Sequence, residues 1–244
     1  MQPARRGPIA FLEAGISRGA LLAFILPAAS VSYFGSLALA IGLRPGLHDW
    51  RSTTISKLAL YPEGNPACHW IASAGIALAG ALIIPFAGYI GRRLRLAAPT
   101  GSRIGEALFR FGAAGAVLVG VVAYHADALL PRLHTLIARG SAFALCASMI
   151  VFWACALKGR LGPDAARQRC PPALFACWSV LVLSFVLGVA LSAVETGRQF
   201  GRLAGLFEWG ASAIFLLFLL SSALLLPQEA VAAKADCEDP GFAS

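Results

Sequence analysis

The chain has 244 residues, 58% of them hydrophobic and only 13% charged, whereas a soluble domain carries about 25% charged residues. Its 20 Lys and Arg against 12 Asp and Glu give a formal charge of +8, but these cations fall between long apolar runs rather than along one basic face, which points to a bilayer and not to nucleic acid. Apolar runs recur from residue 20 to residue 226 and leave no room for a folded soluble module.

The expected fold is therefore all-α, a polytopic bundle of six transmembrane helices. A helix crosses the hydrocarbon core, about 30 Å thick, with about 20 apolar residues because lipid offers no partner to its backbone groups. Residues 1–19 read as an N-terminal segment, 20–227 as the membrane domain and 228–244 as a short tail. Just before the first span, Gly15-Ile16-Ser17-Arg18-Gly19 fits the nucleophile-elbow string. That motif works only on a strand-to-helix turn within an α/β sheet, so chance explains it here. The first span runs from about Ala20 to Leu43. Ala38-Leu39-Ala40 looks like a signal-peptidase site, but the apolar run through it is longer than a signal sequence needs, so it reads as a retained helix.

The loop after it, residues 44–69, carries aromatics, hydroxyls, both charge signs and three prolines, and reads as ordered. It either caps the mouth of the bundle or is a well-packed connection. The second span is Trp70 to Gly91, and the third, about Phe111 to Leu130, contains His125 and Asp127 near its end, where Pro131 should stop it. The fourth is Gly140 to Leu157, the fifth Pro171 to Val194 and the sixth Trp209 to Pro227. Pro27 and Pro85 fall inside spans and should kink them. Small residues at helical spacing, Gly112, Ala116 and Gly120 in the third span and Ser184, Gly188 and Ser192 in the fifth, let helix backbones approach closely; packing within one bundle is the first reading and a dimer seam the second.

Six crossings put both termini on one side, which then holds 13 of the 20 basic residues. Since Lys and Arg accumulate in cytoplasmic loops, both termini should be cytoplasmic. With 17 Arg and a single Asn, Asn65, the composition suggests a GC-rich bacterial genome and hence an inner membrane. Of the six cysteines only Cys68 lies outside, and no C-x-x-C spacing is present, so neither a disulfide there nor a structural zinc site is expected.

Polar chemistry collects on the external side. His48, His69, His125 and His134 all map there, with Asp49, Glu63, Asp127, Glu195 and Glu208. Asp127 and Glu208 carry the most weight, because an ionisable group near a span boundary needs a partner or a wet cavity; a structural pair with Arg132, Arg139 or Arg202 is the plainer alternative. His125 and Asp127 point about 200° apart on a continuing helix, and no H-E-x-x-H spacing exists, so no metal and no cofactor is expected. The candidate ligand-binding residues are His48, Asp49, Ser56, Glu63, His125, His134 and Glu208, and the partner is membrane lipid. Candidate catalytic residues, if the protein is an enzyme of acyl transfer or hydrolysis, are His134 as general base, Glu208 or Asp127 to orient it and Ser56 as nucleophile. A small-solute transporter is a third reading, weakened by spans without mid-membrane charges.

Ile55-Ser56 followed by Tyr61-Pro62-Glu63 resembles the Ile-Ser and Pro-Pro-Glu pattern of the damage-regulated autophagy modulator (DRAM) family, which includes FGF-receptor-activating and GPI-anchor-remodelling membrane proteins. One proline of Pro-Pro-Glu is missing here. His134 shortly before the fourth span and Glu208-Trp209 opening the last agree with that family, as do six spans with cytoplasmic termini, so the likeness covers nearly the whole chain. It implies lipid handling or membrane regulation and no particular reaction.

Overall fold

A computed structural model describes residues 16–43, 54–59, 68–124, 130–161, 171–194 and 200–227, with the side chains of 56–57, 123–124, 130–132, 188–194 and 200–204 outside the description. All regular structure among these residues is helical. Helix α1 spans Arg18–Gly42, α2 Ile55–Ala59, α3 His69–Leu94, α4 Pro99–Tyr124, α5 Leu130–Leu161, α6 Pro172–Val194 and α7 Phe200–Leu225. Five of them, α1, α3, α4, α5 and α7, are long and apolar enough to cross a membrane. The 23 residues of α6 rise about 34 Å at 1.5 Å per residue, which also matches the hydrocarbon thickness.

Helix α1 begins on Ser17, whose Oγ accepts from the Ala20 N–H at 3.1 Å, the usual way to satisfy an orphan amide of the first turn. Pro27 has no N–H and its ring would strike the carbonyl four residues back. The chain answers with a π-helical turn over Leu21–Ile25 immediately before it, and a second over Val31–Gly35, the wider turns by which helices absorb such conflicts. Pro85, by contrast, lies within the continuous helix α3.

Several boundaries differ from the hydropathy reading: α7 starts at Phe200 and not at Trp209, and α4 ends at Tyr124 and not at Leu130. Helix α4 starts at Pro99, not near Phe111, and takes Arg103, Glu106 and Arg110 into its first turns; charged residues are good helix formers at an interface even where hydropathy excludes them. Helix α5 likewise starts at Leu130 and includes Pro131. There a proline favours a helix start, since its missing N–H would be unsatisfied anyway.

Helix α4 is the centre of the packing. A Cβ on Gly112 would come within 2.6 Å of Leu145, and one on Gly115 within 2.8 Å of Ser141, both on α5. A Cβ on Gly120 would reach the Ser73 carbonyl of α3 at 2.3 Å, and Ala116 stands against Gly80 of the same helix. The small residues of the third span thus serve contacts within the bundle, on two faces. Ser141 Oγ adds a hydrogen bond to the Gly112 carbonyl at 2.6 Å.

The larger apolar core joins all six long helices, with Phe109 against Phe215 at 5.7 Å and Trp178 against Phe218 at 4.7 Å between ring centroids. Trp178 Nε1 donates to Ser221 Oγ at 3.2 Å and Trp153 Nε1 to Ser179 Oγ at 2.9 Å, so α6 is tied to α7 and α5. Large apolar side chains such as Phe24, Phe111 and Phe143 face outward, as expected where lipid is the solvent.

At one end, Arg18 donates to the Leu224 carbonyl and Arg93 Nε to the Pro227 carbonyl at 2.9 Å. The guanidinium of Arg93 also lies 3.6 Å from the centre of the Tyr89 ring. Cations there complement the unsatisfied carbonyls at the end of α7. The start of α1 and the end of α7 therefore share one end of the bundle, the arginine end.

Candidate functional site

The opposite end is organised around α2. Ile55, Leu58 and Ala59 are buried in a second cluster with Leu37 and Ala40 of α1, Ala72 and Ile76 of α3 and Val119 of α4, and Trp209 of α7 packs against it. A loop that hydropathy places outside the membrane spans thus sends a short apolar helix into the bundle. An isolated helix of five residues is far below the length that holds together alone, so tertiary contacts must fix it.

Two polar contacts do so. Glu208 Oε2 accepts from the Ile55 N–H at 2.6 Å, a charge-assisted bond placed where the positive end of the helix dipole lies. Ser73 Oγ donates to the Ala59 carbonyl at 3.1 Å, a buried contact. The second π turn of α1 supplies the next layer: Tyr33 lies 2.9 Å from Ser212 Oγ, and Ser212 donates to the Glu208 carbonyl at 2.9 Å. Because the Ser212 proton is spent on that carbonyl, Tyr33 is the donor to Ser212. Phe34 stacks on Trp209 at 6.3 Å.

His134, one turn into α5, is 1% exposed. It lies against the backbone of Val119, yet both ring nitrogens are sealed from solvent and outside hydrogen-bond geometry among the described residues. Trp209 Nε1 is likewise buried and without a hydrogen-bond partner among the described residues. Each such group costs about 1–3 kcal/mol unless something meets it.

Of the residues singled out from sequence, Glu208 and His134 are both set at the α2 end, Glu208 through its bond to Ile55 and His134 through Val119, which belongs to the same apolar cluster as Ile55. Ser56 is on α2, with its side chain outside the description. His48, Asp49, Glu63, His125 and Asp127 lie outside the described residues, as do Tyr61 and Pro62. The surroundings of Gly188 and the side chain of Ser192 lie outside the description, and Ser184 is exposed. No disulfide joins the described thiols Cys68, Cys146, Cys155 and Cys177 to one another. Among the described residues no three of His, Cys, Asp and Glu converge.

Residues 27–225 match the model of a family described as a protein of unknown function (DUF998). The chain belongs to that family. The match runs from Pro27 to the last turn of α7, and so takes in the π turn at Tyr33, the inserted α2, His134 and Glu208. Neither a curated protein nor a solved structure gives a significant match.

Sequence reasoning passed over Tyr33, Ser73, Ser212 and, at the arginine end, Glu106. Glu106 is 6% exposed and is held by Arg95 at 2.7 Å and Arg110 at 3.3 Å. Its signal was present: it is the single acid in the arginine-rich stretch from Arg92 to Arg110.

Proposed function

We propose that this membrane-spanning protein binds lipid at the α2 end of its bundle and acts without a chemical step of its own. What carries the reading is His134: a buried imidazole whose ring nitrogens meet no well-formed hydrogen bond among the described residues, at the same end as an inserted helix held by a carboxylate, is an arrangement that invites a polar partner. At the edge of a bilayer the abundant partner is a lipid, whose ester and hydroxyl groups both accept and donate as a neutral imidazole requires. The resemblance of Ile55-Ser56, His134 and Glu208-Trp209 to the DRAM pattern supports lipid handling independently. The α2 end faces outward in this reading, with both termini in the cytoplasm of a bacterial cell and the bundle in its inner membrane, because Lys and Arg gather at the other end.

Acyl transfer or hydrolysis is the second reading. It requires His134 in contact with a carboxylate and a nucleophile, whereas the described contact of the His134 ring is with the Val119 backbone and Glu208 Oε2 is engaged by the Ile55 N–H. The binding reading therefore ranks first.

Native mass spectrometry of protein extracted from its own membrane in mild detergent tests it. Wild-type protein should retain a lipid that His134→Ala loses by about tenfold in occupancy, the consequence of removing one buried hydrogen-bonding group, while the variant keeps its unfolding temperature within a few degrees. Equal lipid retention by both would overturn the reading. Conversion of lipid by wild-type protein in vesicles, abolished in His134→Ala, would establish the enzyme instead.

A further inference from the structure

The arginine end carries a second site, independent of the one just proposed. Between residues 92 and 110 the cations Arg92, Arg93, Arg95, Arg103 and Arg110 accompany one acid, Glu106. Topology alone requires only that such cations be present, not that they be held. Two of them are held on that acid. Arg95 Nη2 bonds Glu106 Oε1 at 2.7 Å and Arg110 Nη2 approaches Oε2 at 3.3 Å, one guanidinium on each carboxylate oxygen. The Glu106 side chain is 8% exposed, those of Arg95 and Arg110 44% and 40%.

The carboxylate is thus buried, while the two arginine side chains that hold it are partly exposed. Gly91 makes this possible, because a Cβ there would come within 2.0 Å of Glu106 Oε1. Helix α3 ends at Leu94, and the charge-free stretch of α4 begins after Arg110, the pattern expected of residues near the boundary between hydrocarbon and headgroups.

We propose that Arg95 and Arg110 form a binding site for the phosphodiester group of an anionic phospholipid in the surrounding leaflet, with Glu106 as the positioning residue. Planar guanidinium forks match phosphate oxygens, and basic sites at helix ends on this side of a membrane attract anionic headgroups. Holding both forks on one buried carboxylate removes much of the ordering cost that two free arginine side chains would bring to binding.

The proposal has a sign that diffuse charge attraction does not share. Glu106→Gln removes a negative charge, so simple electrostatics requires tighter binding of an anion, whereas a site built on Glu106 binds more weakly. The test is titration of the purified full chain with phosphatidylglycerol, with phosphatidylcholine and with inorganic phosphate, read as occupancy by native mass spectrometry. Wild-type protein should bind one phosphatidylglycerol at least about tenfold more tightly than phosphatidylcholine. Arg95→Gln and Arg110→Gln should each lose about tenfold, as loss of a charge-assisted bond implies; Glu106→Gln should also lose affinity, and Arg103→Gln should change it less than about twofold. Tighter binding in Glu106→Gln, or equal losses in Arg103→Gln and Arg95→Gln, would overturn the site. Inorganic phosphate binding as tightly as phosphatidylglycerol would overturn the lipid assignment. Should Glu106→Gln fail to fold, Arg110→Lys decides: it keeps the charge and loses the fork, so a drop supports the site and unchanged affinity refutes it.

Discussion

Gly75 shows how strictly single residues are specified where helices touch. A Cβ there would lie 1.8 Å from Ser36 Oγ and 2.3 Å from the Ser32 carbonyl; the second is backbone of α1 and cannot step aside as a side chain can. Gly75→Ala should therefore destabilise the protein by about 1–3 kcal/mol, the usual cost of overpacking, read as a lower unfolding temperature in detergent. Gly140, with nothing within 4 Å of its Cβ position, is the control, and Gly140→Ala should be neutral or stabilising by up to about 1 kcal/mol. Polar residues divide in the same way. Tyr33→Phe removes one hydrogen bond and leaves Ser212 still donating to the Glu208 carbonyl, so a loss of about 0.6 kcal/mol is expected, the average for such bonds in a bundle. Glu208→Ala strips the Ile55 N–H of its partner and should cost more, about 1–3 kcal/mol. A larger effect from Tyr33→Phe would contradict this ordering.

At the scale of elements, α2 is the part of the molecule that depends most on others. Leu58 and Ala59 are fully buried, but five residues carry too little helix to persist without Glu208 at one end and Ser73 at the other. Leu58→Cys should resist a membrane-impermeant thiol reagent in otherwise wild-type protein. Combined with Glu208→Ala it should be labelled readily, because α2 is then free to leave its place. Labelling at the same rate in both backgrounds would show that Glu208 does not hold the helix. Hydropathy found the long helices for a simple reason: each must satisfy its own backbone in lipid, so each is a continuous apolar run. It missed α2, whose apolar residues number too few to form a run and are buried by contacts from four other helices.

For the whole molecule, the bonds from Arg18 to Leu224 and from Arg93 to Pro227 draw the start of α1 and the end of α7 to one end. Reporters fused to residues 1 and 244 should therefore give the same answer in intact cells. We expect both to be cytoplasmic, with Cys68 labelled from outside once the first loop is loosened, because 13 of 20 basic residues lie with the termini. Fusions reporting opposite sides would require an odd number of crossings.

By itself the sequence determined the fold class, the positions of the long helices and which residue types gather at each end. These are local properties, set by how many apolar residues follow one another and by where charge interrupts them. Even the choice of Glu208 and His134 needed only their position at span boundaries. What the tertiary structure alone decided is what those residues meet. Glu208 finds the Ile55 amide across 153 positions of sequence, through a hydrogen bond whose donor is backbone and therefore leaves no trace in residue type. His134 is buried against α4 by the close approach of α4 and α5 that Gly112 and Gly115 permit. Glu106, one acid among arginines, became a buried anchor because Gly91 on the neighbouring helix leaves it room. Contacts of this kind depend on helix rotation and distance, and hydropathy records neither.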